Sequence, residues 1–289
     1  MLGILLLDKA PGMTSHDVVD VVRRRVGTRR VGHAGTLDPM ATGLLVVAVG
    51  PATRFLQYLS LEPKEYTGEI VFGRESTTQD AEGELSEPKP VPSDLEAALL
   101  GVLPRFLGLI EQIPPAFSAV KVGGKPLYKY ARTGQEVERA PRSVHIGEIE
   151  ILESGADRTR FRVRCSGGTY VRTLAHDLGR ALGCGAYLNE LRRTRAGRFH
   201  VGQALSMDEI SAERLMPLAE ALAPMPSVAL SPLEEAAIRQ GRRIPIEEPI
   251  DQTLVSVRDP DGLVFGIARV IGNQLQPECV LPIETAIRD

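Results

Sequence analysis

Three prolines within ten residues, Pro217, Pro224 and Pro226, interrupt the chain late in its length. Proline fixes φ and lacks a backbone N–H, so neither a helix interior nor a central strand runs through such a stretch. The prolines divide the chain into a large unit over residues 1–225 and a small separate unit over 226–289. Length agrees with this division: at 289 residues with 43% hydrophobic content, the chain is at the size where single cores stop growing, about 250–300 residues.

Within the large unit, strand and helix signals mix without strict alternation. Leu5 to Leu7 reads as a buried strand, and Pro11-Gly12 turns the chain into a helix with Val18, Val19, Val22 and Val26 on one face. Thr14 or Ser15 caps that helix and Gly27 ends it. Ala41 to Val49 leads from loop into strand, and Tyr66 to Phe72 is a half-buried strand. The acidic stretch from Arg74 to Pro92 reads as a surface loop, with Ser93 and Glu96 as a capping box for the helix after it. Residues 112–142, basic and aromatic together, read as an exposed excursion. His145 to Leu152 and Thr159 to Cys165 form an antiparallel pair with Arg160, Arg162 and Arg164 on its outer face. Thr173 to Leu182 is a helix, and Ser206 with Glu209 starts another. The small unit opens with Ser231-Pro232-Leu233-Glu234 at a helix start and continues as a hairpin turning at Asp259 to Gly262. These elements make an α+β chain.

Charge and composition exclude several functions. Cys165, Cys184 and Cys279 are too few and too scattered for a disulfide framework or a C-x-x-C metal site. The five histidines lack ligand spacing, so no metal is expected. No apolar run approaches the ~20 residues of a membrane span, and Asp8 cuts short the opening apolar stretch, so a cytoplasmic protein is expected. The net charge of -3 conceals segregation: residues 1–60 and 121–225 are net basic, whereas 61–120 and 226–289 are net acidic. Basic segments of this kind can meet a phosphate backbone.

The most unusual segment is Gly32-His33-Ala34-Gly35-Thr36-Leu37-Asp38-Pro39-Met40-Ala41-Thr42-Gly43, small side chains around one carboxylate. Glycines let a bulky ligand come near the main chain, and Pro39 biases Asp38 toward extended backbone. An Asp-Pro turn alone is ordinary. The whole stretch, however, resembles the catalytic motif of the TruB family of pseudouridine synthases. Ordered agreement extends to Leu6 through His16, Lys64-Glu65-Tyr66, Gln112 through Lys121, Gly124 through Arg132, Cys165 through Leu174 and Leu191-Arg192-Arg193. Ala10, Ala34 and Thr36 are small departures, and none touches the acid.

The resemblance implies a pseudouridine synthase fold: a largely antiparallel central sheet flanked by helices and loops, followed by a small β-rich PUA-like RNA-binding domain. It implies isomerisation of the uridine at position 55 in the tRNA T loop, without cofactor, with Asp38 as the reacting carboxylate and Arg172 as its guanidinium partner. A buried carboxylate stays charged only beside a cation. Because chemistry on an RNA base requires extruding it, the resemblance assigns Tyr66 as a platform for the flipped uracil. His33 then fills the vacated stack, and Tyr170 and Leu191 line the pocket. Lys9, Lys64, Lys121, Lys125, Tyr128, Lys129 and Arg132 are expected to contact RNA, the last five on a clasping insertion over about 112–142. The T stem-loop is the expected partner of a monomer needing no protein partner. The alternatives are a guide-dependent synthase acting on ribosomal RNA and a noncatalytic protein that binds and folds tRNA.

Overall fold

The computed structural model describes residues 1–282 except Ala119, Arg132, Glu247 and Glu248. Arg132, expected on the RNA-clasping insertion, therefore lies outside the described residues.

The first strand shows how the sequence builds the layers. In β1 (Gly3–Lys9) successive side chains point to opposite faces. Leu5 and Leu7 pack with Val18, Val19, Val22 and Val26 of α1 (Ser15–Val26). Ile4 and Leu6 join a second core on the other face. A strand covered on both sides reads as a continuous apolar run, which is what Ile4 to Leu7 shows. Thr14 caps α1 in a reciprocal pair with Asp17, and Gly27 closes it at φ 69°, a left-handed position that favours glycine.

The chain continues through β2 (Val31–Ala34), β3 (Thr42–Val49) and β4 (Lys64–Phe72), then α2 (Leu95–Val102), β5 (Gly108–Gln112), and the small β6 (Lys121–Val122) and β7 (Lys125–Pro126). After them come α3 (Leu127–Ala131), β8 (Arg142–Ser154), β9 (Arg158–Cys165), α4 (Val171–Ala181), β10 (Ala186–Ala196) and β11 (Phe199–His200). The central sheet runs β1-β3-β10-β4-β9-β8-β5, with β2 added beside β3 and β11 beside β10. Its pairings are antiparallel except β10 with β3. That single parallel junction places β10 between the strand after Asp38 and the strand of Tyr66, and the site lies beside it. On the far half, Tyr66, Ile70, Phe161, Val163 and Leu174 share a core with Leu95 and Leu99 of α2.

A second sheet follows α5 (Leu218–Ala221): β12 (Ser227–Ala229), α6 (Pro232–Arg239), β13 (Ile244–Pro245), β14 (Leu254–Arg258), β15 (Val264–Ile271) and β16 (Gln274–Val280), ordered β12-β14-β15-β16-β13. The expected capping box at Ser231 and Glu234 forms. This unit has its own core around Val255, Val257 and Phe265. It is not separate, however. Val264, Ile267, Cys279 and Leu281 pack into the same cluster as Leu6, Phe55 and Phe199. The cross-strand periodicity of β15 hides this, because both of its faces are apolar and only the structure shows that they meet different partners.

Three local expectations are corrected. The cap of α2 is Asp94, whose carboxylate accepts from the Ala97 N–H, rather than Ser93. Ser206 and Glu209 do form their reciprocal cap, but only over a single 3-10 turn, Met207–Glu209. Most consequentially, the acidic stretch 74–92 is not all surface: Ser76 and Asp80 are buried.

Candidate active site

Asp38 sits between β2 and β3 on a loop held at both shoulders. Ser15, the first residue of α1, accepts from the Leu37 N–H at 2.9 Å and donates to the Leu37 carbonyl at 3.1 Å. On the other side the Pro39 carbonyl accepts from the Gly12 N–H at 2.9 Å and from Lys9 Nζ at 3.2 Å. Leu37 is buried as an apolar anchor. Fixing a carboxylate by backbone bonds on either side lowers the reorganisation a reaction demands of it.

The surroundings of Lys9 oppose the RNA-contacting role expected of it. Its side chain is 0% exposed, and its ammonium donates to three carbonyls, those of Ala10, Met13 and Pro39. All three of its protons are thereby used. Burial lowers its pKa to about 8, with the Asp38 charge acting in the opposite direction.

Arg172 lies in the first turn of α4, buried, and reaches the loop from the opposite side. Nε pairs with Asp38 Oδ2 at 2.9 Å, and Nη1 pairs with Asp80 Oδ2 at 3.0 Å. The Thr78 carbonyl accepts from Nη1 at 3.2 Å and the Phe117 carbonyl from Nη2 at 3.0 Å. A planar fork with all its edges occupied cannot rotate freely. Asp80 is itself pinned: Oδ1 accepts from the Thr78 hydroxyl at 2.5 Å and the Glu82 N–H at 3.1 Å. The turn carrying it includes Gln79 at φ 66°, a left-handed position rare for a side-chain-bearing residue. The Gln79 side chain accepts from the Thr173 hydroxyl of α4 at 2.9 Å.

Two carboxylates thus share one guanidinium. Burial, the largest cause, raises the Asp38 pKa above its ordinary 3.8; Arg172 opposes the rise and Asp80 adds to it. The expected cation does lie beside Asp38, but burial outweighs it and the net direction is upward.

Asp38 opens on a pocket of about 270 Å³ that Lys64, Tyr66, Ser118, Tyr170, Arg172 and Leu191 also line. It is the single carboxylate among the described residues lining that pocket. Tyr66 is buried, and its phenol is pushed up in pKa by burial, with the Arg193 charge opposing. Lys64 is lowered by burial first and by the Arg193 charge second. Gln112 braces the entrance to α4, donating to the Tyr170 carbonyl at 3.2 Å and accepting from its N–H at 2.9 Å.

The other candidates lie outside the pocket lining. His33 is half-buried on β2, with Nδ1 making no hydrogen bond among the described residues, and burial lowers its pKa. Lys121 and Lys129 are exposed, Tyr128 is half-buried, and Lys125 sits 4.3 Å over the Tyr130 ring. No group of three or more His, Cys, Asp or Glu side chains among the described residues is placed to hold a metal ion. No helix among them is long and apolar enough to cross a membrane.

Sequence reasoning missed Asp80 and Arg193. Asp80 hides in a run of other acids, and its one local signal is the polar Thr77-Thr78-Gln79 before it.

Residues 23–171 match the TruB family pseudouridylate synthase N-terminal domain. Residues 172–237 match the tRNA pseudouridylate synthase B C-terminal domain, and 226–281 match pseudouridine synthase II TruB, C-terminal. The tRNA pseudouridine synthase B of Thermobifida fusca is 46% identical, over 96% of this chain and 98% of its own. That of Opitutus terrae is 48% identical, over 79% of this chain and 95% of its own. Among solved structures, a chain of an H/ACA RNP bound to a substrate RNA containing 2'-deoxyuridine superposes with TM-score 0.72 at 26% identity, covering 97% of this chain and 85% of that one. A chain of a Cbf5-Nop10-Gar1 complex gives TM-score 0.72 at 28% identity, covering 96% and 84%. With a family domain covering more than half its length around Asp38, and relatives this similar along nearly all of it, the chain belongs to the TruB family of pseudouridine synthases.

Proposed function

We propose that this protein isomerises uridine to pseudouridine in the T loop of tRNA, at position 55, with Asp38 as the reacting carboxylate. The observation that carries the reading is one carboxylate facing the pocket, gripped by a buried arginine whose other edge is locked by Asp80. The reaction breaks the bond from ribose C1' to N1, turns the uracil while it stays bound, joins C5 to C1', and releases the C5 proton to solvent while N1 takes one up. One proton leaves C5 as one joins N1 and no electrons are gained or lost, so neither an oxidant nor hydrolytic water is consumed. An ionised carboxylate supplies the nucleophile or base that such a sequence needs. Hydrolysis of a glycosidic bond normally takes two carboxylates flanking that bond. Here the second carboxylate, Asp80, is committed to Arg172, Thr78 and the Glu82 N–H.

Tyr66 and Leu191 stand on adjoining strands, two register positions apart, and both line the pocket, an aromatic and an aliphatic wall suited to a flipped pyrimidine. Lys64 supplies positive charge there. The exposed Lys121 and Lys129, with Lys125, Tyr128 and the His33 ring, form the RNA-facing set, and phosphate contacts of this kind give affinity rather than sequence reading. Lys9 belongs to the scaffold of the Asp38 loop. In this reading residues 1–225 carry catalysis and 226–289 assist RNA binding, in a cytoplasmic monomer.

The relatives at 46% and 48% identity are named as tRNA enzymes, and the ribonucleoprotein neighbours are more distant at 26% and 28%. An unmodified tRNA transcript incubated with the protein alone, then mapped chemically for pseudouridine, separates the two. One modified T-loop uridine without guide RNA is expected; modification only with a guide RNA overturns the tRNA reading.

A further inference from the structure

Arg193 is the largest fully buried side chain among the described residues, at 1% exposure. It stands on β10 in register with Gly43 of β3 on one side and Tyr66 of β4 on the other. A Cβ on Gly43 would run into the Arg193 backbone, so glycine lets the two strands come this close. The Arg193 side chain then turns along the back of the pocket. Nε donates to the Leu44 carbonyl at 2.7 Å, and Nη2 donates to the Gly35 carbonyl of the Asp38 loop at 2.8 Å.

Two features set it apart from a packing residue. Among the described residues it has no carboxylate partner within salt-bridge distance, although a buried charge without a counter-ion is costly. Its Nη1, buried, makes no hydrogen bond among the described residues. Nη1 lies 3.1 Å from where a Cβ on Gly35 would stand, and Lys64 Nζ lies 3.5 Å from the same point. Tyr66 is the register partner of Arg193 on the neighbouring strand, and the guanidinium charge opposes the rise that burial imposes on the phenol's pKa. A guanidinium only donates, so the free Nη1 calls for an acceptor, and a phenol oxygen is one.

We propose that Arg193 is a positioning residue for the reaction: it holds the hydroxyl end of Tyr66 and the Gly35 carbonyl at once, and so sets the spacing between the aromatic wall and Asp38. This rests on the roles given above to Asp38 and Tyr66. Arginine suits the task because its fork reaches several acceptors in one plane, which a lysine point charge does not.

The test is a double-mutant cycle in the full-length protein: wild type, Arg193→Lys, Tyr66→Phe and the pair, read as single-turnover rates on unmodified tRNA, with tRNA Kd and melting temperature alongside. Arg193→Lys is expected to slow turnover about tenfold or more, with Kd within about threefold of wild type. In the Tyr66→Phe background the same change is expected to cost less than about threefold, since coupled residues do not add. Arg193→Gln keeps side-chain donors without the buried charge, and its cost should shrink in the Tyr66→Phe background in the same way. That arm decides the matter if Arg193→Lys fails to fold. Full cost in both backgrounds, or an unchanged rate in Arg193→Lys, overturns the positioning role alone; no turnover by the wild type overturns the functional reading with it.

Discussion

At the scale of single residues, the site is a line of charge, Asp38 to Arg172 to Asp80, with one end open to the pocket. In the proposed reaction Asp38 acts as the ionised form, and its pKa is raised above 3.8 by burial, with Asp80 contributing. Activity is therefore lost as pH falls through that raised value. Asp80→Asn removes one of the causes of the rise, so the acid limb of the single-turnover profile should move to lower pH while the maximal rate falls. An unmoved or higher limb contradicts the shared-cation arrangement. Arg172→Lys should slow turnover about a hundredfold, because a point charge cannot hold Asp38, Asp80 and two carbonyls together. Lys9 gives a prediction on stability. Its folded pKa of about 8 lies below the ordinary 10.5, so between these values the unfolded chain binds more protons. Stability from this group then rises as pH climbs from about 8 toward 10.5. Denaturant melts of wild type and Lys9→Met should show that rise as a difference between them. A pH-independent difference refutes it.

At the scale of elements, what was legible depended on whether local pattern and tertiary role agreed. The valine stripe of α1 and its Thr14 and Gly27 boundaries were readable, because cap chemistry and periodicity are local. Thr14→Ala should cost about 1 kcal/mol in chemical unfolding; a value near zero means the cap bond contributes nothing. The α2 start is displaced by one residue from its sequence expectation because Ser93 and Asp94 both suit a cap, and only the turn geometry chooses Asp94. Ser206 and Glu209 carry a correct cap signal for a helix that the chain ends after one turn. Asp38 and Arg172 were legible by resemblance to a family motif, not from composition. Asp80 was not, since its role comes from a long-range bond to Arg172 across a stretch that reads as acidic surface. Lys9 reads as an RNA contact for the same reason in reverse: a lysine in a motif looks exposed until three carbonyls are found around it.

At the scale of the whole molecule, the proline-marked boundary near 225 separates two sheets, but one of the core clusters runs across it. Ile267 and Leu281 pack with Leu6, Phe55 and Phe199, and Arg54 donates to the Val280 carbonyl at 2.7 Å. The C-terminal sheet therefore stabilises the strand layer that holds the Asp38 loop, besides any contact it makes with RNA. A chain ending at residue 225 should melt well below the full-length protein, and Ile267→Ala should cost about 2–5 kcal/mol. Equal melting temperatures mean that the shared cluster contributes no stability. The central claim concerns chemistry at one carboxylate, and the most direct measurement is tritium release from unmodified tRNA labelled at uridine C5, with neither guide RNA nor cofactor added. Wild type is expected to release the label of one T-loop uridine, and Asp38→Asn to release it at least ~10³-fold more slowly while still binding the tRNA. Release at the wild-type rate by Asp38→Asn contradicts the account.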